Sequence, residues 1–307
     1  MINMPEYSRR EFLSTTTVAA AGIGCGLAGK GFAVPAPESL TDVWVIHGSD
    51  QAALMKTALQ VIADNGGLGE HADSLTLKVN AAWARKPEEG ANTDPVLVET
   101  FLKGCRDFGV RNLVVPEHPC NRAEQSFSRS GLADAAKRAD AQMIDLKTEQ
   151  GSFQKIELPQ ARSLGEAEVG AEFLETDVLI NMPVAKHHSS ARLTMAMKNW
   201  MGAVRDRRYW HRNNLHQCIA DFSTFIQPDW TLIDATRIML DKGPQGPTEN
   251  MKHPQLLIVS RDQVAADAFA STLFVDDPRE ILYLKFAEEM GLGPIDPARM
   301  NLHRLEA

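Results

Sequence analysis

Apolar residues in this chain fall into short runs set between longer amphipathic stretches, and the two kinds alternate along its length. A short apolar run bounded by turn residues reads as a buried strand. Apolar positions repeating at helical spacing read as a helix. On that basis Val43–His47, Leu75–Asn80, Asn112–Pro116, Gln142–Leu146, Asp177–Asn181, Thr231–Asp234 and Gln255–Val259 are expected strands. Gln51–Asp64 is an expected helix, capped by Asp50 and stopped by Gly66-Gly67. A second opens at Thr93-Asp94-Pro95 with either Thr93 or Asp94 as its cap, and ends at Gly109. Helices are also expected at Ser130–Ala139, Glu166–Leu174, around Lys198, Leu215–Phe225, Val264–Phe274 and Pro278–Met290. Ala81–Asn92 reads as a loop, and Phe153–Leu158 as a short edge strand or hairpin arm.

Strands alternating with helices predict an α/β fold, a mostly parallel sheet with helices on both faces. No repeat, low-complexity tract or linker divides the chain, so residues 34–307 are read as a single domain.

Residues 1–33 read as an export signal. Ser8-Arg9-Arg10-Glu11-Phe12-Leu13 has the twin-arginine form, and the small-residue run from Thr15 to Ala28 is too short and glycine-rich to span a membrane. Gly31-Phe32-Ala33 places small residues where a signal peptidase cuts. The expectation is a protein exported folded by the twin-arginine machinery to the periplasm, with no transmembrane segment in its mature part. That route serves proteins loaded with a cofactor before export and cofactor-free ones alike.

The balance of 32 basic and 40 acidic residues gives a net charge of −8, which argues against general nucleic-acid binding. Cys105, Cys120 and Cys218 lack the C-x-x-C spacing of zinc or ferredoxin sites. Cys105 and Cys218 read as buried small hydrophobes, and Cys120 sits in a loop beside Glu117 and His118. One disulfide among the three is open. Neither a G-x-x-x-x-G-K-[ST] nor a G-x-G-x-x-G motif appears, so nucleotide binding has no direct support, and no G-x-S-x-G suggests a serine hydrolase.

Candidate chemistry gathers at the ends of the expected strands. Lys78 and Asn80 end one, Glu117 and His118 follow another, Asn181 and Lys186 follow a third, and Asp234 ends a fourth. In a parallel sheet these ends share one edge, where α/β proteins bind ligands. Asn181-Met-Pro-Val-Ala-Lys-His-His188 followed by Lys198-Asn199 adds imidazoles, cations and amides suited to holding an anion and moving a proton. A lysine there can hold a carboxylate or phosphate, or attack a carbonyl if desolvated. His188 and Lys198 are read as functional and His187 as structural. His211 and His216 stand at i and i+5, a poor zinc pair. Arg205, Arg207, Arg208 and Arg212 in the same segment suit an anionic ligand or form a solvated basic turn. Asp241-Lys-Gly-Pro-Gln-Gly-Pro247 brings backbone amides toward a ligand or is simply a turn.

These pieces, from about Leu77 to Gly293, resemble domain-of-unknown-function family 362. Lys78-Val-Asn80 resembles its Lys-Pro-Asn, with valine replacing proline. Thr93-Asp94-Pro95, Gly109 with Val114-Val115, Leu179–His188, Met197-Lys-Asn199 with Gly202, Ile233-Asp-Ala235 and Gly243-Pro244 complete the match. The resemblance implies an α/β domain and little established biochemistry. Many relatives add a ferredoxin-like segment with iron–sulfur cysteines, which is absent here. The spacing of His188 and Lys198 is also similar to that in nickel-pincer lactate racemases, where the lysine holds the cofactor and the histidine lies in a comparable segment; Ala196-Met197 stand where those enzymes have a glycine pair. By that analogy Lys198 would anchor a cofactor and His188 would be a ligand or a base.

The expected function is therefore an exported enzyme acting on a small anionic, carboxylate-like substrate by proton transfer, as in racemisation, or by redox chemistry. His188, Lys198 and Glu117 are the candidate catalytic residues. Lys78, Asn80, Asn181, Lys186, Asn199 and Asp234 are the candidate binding residues. The cofactor is unassigned, with a metal or a nickel-pincer-like organic group open. The alternatives are a non-catalytic periplasmic anion-binding or accessory protein, and a metal or iron–sulfur redox protein.

Overall fold

The computed structural model describes residues 40–69, 72–148 and 152–307. The twin-arginine segment and its cleavage site lie outside the described residues. The strands are β1 (Thr41–His47), β2 (Ser74–Val79), β3 (Asn112–Glu117), β4 (Gln142–Asp145), β5 (Phe153–Glu157), β6 (Glu166–Gly170) and β7 (Val178–Met182). They continue with β8 (Val184–His188), β9 (Arg192–Thr194), β10 (Trp230–Met239), β11 (Met251–Lys252), β12 (Leu256–Ser260) and β13 (Met300–Glu306). The main sheet runs β13-β1-β12-β10-β7-β2-β3-β4. Along that path only β12 runs against its neighbours; every other pairing is parallel. Thr41–Ala307 form one compact unit.

Alternate residues of the strands feed two separate cores, as a sheet buried on both faces requires. Trp44, Leu77, Ile180, Leu232 and Leu257 face one, covered by α1 (Gln51–Asp64), α2 (Pro95–Asp107), α3 (Ala123–Arg129) and α4 (Leu132–Arg138). Val43, Leu179, Ile233 and Ile258 face the other. That face is covered by α5 (Ala196–Asn199), α6 (Arg207–Arg212), α7 (Leu215–Phe222), α8 (Gln263–Ser271) and α9 (Leu282–Glu289). The caps are those the sequence predicts: Asp50 accepts from Ala53 N–H at 2.9 Å, and Asp94, not Thr93, caps α2 through Val96 N–H at 2.8 Å. Gly66 and Gly109 adopt positive φ just past their helices, a conformation glycine takes without a Cβ penalty.

Two expectations are corrected, and one hairpin is new. Glu166–Gly170 is strand, not the start of a helix, because it pairs antiparallel with β5. The segment after Pro183, to which the sequence pattern assigns no element, forms a hairpin of β8 and β9, and β8 also pairs parallel with the outer half of β10. The helix carrying Lys198 is a single turn followed by a 3₁₀ turn at Trp200–Gly202. Cys105 and Cys218 are buried, Cys120 is exposed, and all three are unpaired. Burial pushes the Cys105 thiol up, and the Cys218 thiol up to about 12. Among the described residues, no helix is long and apolar enough to cross a membrane.

Candidate functional site

Parallel register sets the floor of the site. Lys78 of β2 lies opposite Asn181 of β7, so both side chains leave the same face while Leu77 and Ile180 enter the opposite core. Lys78 is fully buried, and a charge so placed must be paired. Its partner is Glu117, the last residue of β3, at 2.9 Å; the same carboxylate oxygen accepts from Ala81 N–H at 3.0 Å. Burial lowers the Lys78 pKa and Glu117 opposes that shift. Gly202 closes over the pair. A Cβ there would fall 1.9 Å from Glu117 Oε1, so only glycine fits.

A chain of amides fixes the next layer. Asn199 donates to Asn181 Oδ1 at 2.8 Å and accepts from Asn80 Nδ2 at 3.3 Å. Asn80 Oδ1 in turn accepts from Lys186 Nζ at 3.4 Å. Asn181 donates to the Ala196 carbonyl at 2.9 Å, tying this chain to α5. Thr93 joins the ends of β2 and β7: its hydroxyl accepts from Asn80 N–H at 2.9 Å and donates to the Met182 carbonyl at 2.8 Å.

The β8–β9 hairpin supplies the wall. Lys186 is buried and donates to the Ala91 carbonyl. Burial, then the Lys198 charge, lowers its pKa to about 7. Lys198 is buried at the end of α5, and its pKa falls to about 8, again chiefly through burial. Among the described residues no carboxylate pairs with either amine, and no hydrogen-bond acceptor meets Lys198 Nζ. His188 Nδ1 accepts from the backbone N–H groups of Ser190 and Ala191 at 3.1 and 3.2 Å. Two donors at one ring nitrogen leave the proton of the neutral imidazole on Nε2. Burial, then Lys198, holds the His188 pKa at about 2. The ring stacks on His211, centroids 6.1 Å apart.

These elements enclose a cavity of about 330 Å³. Lys78, Asn80, Glu117, Lys186, His188, Lys198 and Asn199 all line it, so seven of the nine candidate residues converge. Asn181 stands behind Asn199 as its support. Asp234 lies elsewhere: it accepts from Asp94 N–H at 2.9 Å and from the Thr236 hydroxyl at 2.6 Å, under the turn that starts α2. Burial, then Asp94, pushes it up to about 6, and its visible work is to hold that turn. At His188 the two backbone donors occupy Nδ1 and leave Nε2 as the protonated ring nitrogen.

Sequence reasoning did not place Cys120, Thr194, Arg207, Arg208 and His211 in the cavity, yet all line it. The basic run flagged Arg207 and Arg208 by composition, and His211 was weighed only as half of a poor zinc pair. Thr194 carried no sequence signal; its buried hydroxyl has no hydrogen-bond partner among the described residues. His187 is structural, its Nδ1 accepting from Gly243 N–H at 3.0 Å.

The chain matches the sequence profile described as Domain of unknown function (DUF362) over residues 75–272. The chain belongs to the DUF362 family. A thylakoid-associated protein of Synechocystis sp. is 23% identical over 256 residues, 79% of this chain and 75% of that protein. Among solved structures, the lactate racemase apoprotein of Thermoanaerobacterium thermosaccharolyticum aligns at 12% identity with a TM-score of 0.47, covering 74% of this chain and 55% of the racemase. A Thermotoga maritima protein aligns at 11% identity with a TM-score of 0.45, covering 80% of this chain and 60% of its own. The chain thus spans little more than half the length of these solved proteins.

Within the DUF362 match, the motif residues have visible reasons. Lys78, Asn80, Asn199 and Gly202 build the buried ion pair and its amide support, and Thr93 ties two strand ends. A metal held by His188 does not fit this DUF362 site. Nδ1 is taken by two N–H donors, and Nε2 can bind a metal only by giving up the proton they force onto it. Among the described residues no group of three His, Cys, Asp or Glu is placed to hold a metal ion.

Proposed function

We propose that this DUF362 protein binds a small anionic carboxylate in the cavity and moves a proton on it, in the periplasm after twin-arginine export. The observation that carries the reading is unmatched charge. Among the described residues, Lys78, Lys186, Lys198, Arg207 and Arg208 line the cavity against one carboxylate, that of Glu117. Positive groups in a shielded cleft focus the field on an anion. A lysine amine near neutrality can take a proton and return it. His188, a neutral donor, serves to hold the ligand.

The test is calorimetric titration of the full chain with malonate, lactate and inorganic phosphate, alongside thermal melting. Malonate is expected to bind and raise the melting temperature, and Lys186→Met is expected to weaken it about tenfold or more, the range for losing a charge-assisted hydrogen bond. Equal indifference to all three anions would sink the reading.

The fixed His188 ring favours one second reading, a binding protein that does no chemistry. Exchange of the ligand's α-hydrogen with deuterated solvent, followed by NMR, separates the two. Exchange lost in Lys198→Ala supports an enzyme; tight binding without exchange supports a binding protein.

A further inference from the structure

The three cavity lysines share a side chain but not a setting. Lys78 is paired with Glu117 at 2.9 Å and also donates to the Val79 carbonyl. Lys186 donates to the Ala91 carbonyl and to Asn80 Oδ1. Both nitrogens are therefore already engaged as donors to protein oxygens. Lys198 meets no acceptor among the described residues, although it is buried in a polar site. Its nitrogen lone pair, once the proton is gone, has no competing role. Desolvation beside other cations is the setting in which a lysine amine becomes a nucleophile toward carbonyl carbon. The same cavity holds an unused donor, the buried hydroxyl of Thr194.

We propose that Lys198 Nζ forms an imine with the carbonyl carbon of a small 2-oxo carboxylate, while Lys186, His188 and Thr194 hold the carboxylate end. The inference rests on the reading of the cavity as a carboxylate site and names the substrate class. In the step, the neutral amine adds to the carbonyl carbon to give a carbinolamine. The carbinolamine loses its oxygen as water, leaving a C=N bond. Amine and ketone become imine and water, with no redox change. The imine carbon then withdraws electrons from its neighbours, which is what proton removal or decarboxylation beside it requires. The lowered Lys198 pKa, about 8, leaves a useful fraction of free amine near neutrality.

The experiment is reductive trapping. The full chain is incubated with pyruvate, glyoxylate or 2-oxoglutarate and cyanoborohydride, which converts an imine to a stable secondary amine, and is read by intact mass and peptide mapping. The expected result is one adduct per chain, on Lys198, suppressed by malonate and absent in Lys198→Arg. Adducts scattered over surface lysines, or none at all, while malonate still binds by calorimetry, would overturn the imine and leave the carboxylate site standing. Failure of malonate both to bind and to protect would overturn the carboxylate site as well. Mapping on the unmodified sequence locates the adduct even if the arginine variant does not fold.

Discussion

Glu117 and Lys78 bear the sharpest cost at the residue scale, because each neutralises the other where water does not reach. Glu117→Ala strands a buried ammonium, and its stability in urea is expected to fall by about 3–5 kcal/mol. The double variant Lys78→Met/Glu117→Met is expected to lose far less, since neither charge remains unpaired. Equal losses in the two would refute the pairing as the source. Lys186 and Lys198 lead to a pH dependence. Their pKa values are lowered to about 7 and about 8 in the free cavity, and a bound anion raises both. Binding must then take up protons, so malonate affinity is expected to fall as pH rises from 7 to 9, by at most about tenfold per unit per lysine. Calorimetry in buffers of different ionisation enthalpy measures the uptake; an affinity flat across this window contradicts it. Most of the site was legible because its residues end expected strands of one parallel sheet. Asp234 misled because it ends an apolar run in the same way, and only tertiary contact shows its carboxylate turned to the Asp94 turn. Thr194 was invisible, since a threonine in a short strand is ordinary until its hydroxyl is found without a partner.

At the scale of elements, the single turn α5 is too short to stand alone. Asp267 of α8 holds it, accepting from Ala196 N–H at 2.6 Å and Met197 N–H at 3.0 Å. Burial pushes this carboxyl up to about 7. The folded state therefore keeps a proton that the unfolded chain releases near pH 4, and stability from this group falls as pH rises from about 4 to 7. Asp267→Asn removes that slope. The stability of the natural chain relative to the variant, from urea midpoints, is expected to decline across that window, by up to about 1.4 kcal/mol per pH unit. A constant difference would show that Asp267 does not titrate there. The misread element and the two left unassigned share one physical cause. Glu166-Ala-Glu-Val-Gly170 carries helix-forming residues, but its alternation suits a strand, and pairing with Phe153–Glu157 decides. Val184–His188 ends in Lys-His-His, which resembles loop until β10 supplies its ladder. Met300–Glu306 mixes apolar and charged residues and is strand because β1 is there to receive it.

The whole molecule is closed by an early strand with late partners. β1 pairs with β12 on one side and, over all seven of its residues, with β13 on the other. A chain ending at Arg299 keeps one of those partners. Its melting temperature is expected to drop by roughly 5–10 °C, at about 2–4 °C per kcal/mol for a domain of this size. An unchanged melting curve would mean that β13 adds nothing to the sheet. The arrangement also sets a timetable. While the chain is being made, β1 emerges early and waits through most of synthesis for strands that do not yet exist. The centre of the molecule can condense, but β1 gains one neighbour only when β12 has been made and the other only with β13. A copy cut short before β12 would leave both edges of β1 bare, a template for another chain and an open site for proteases.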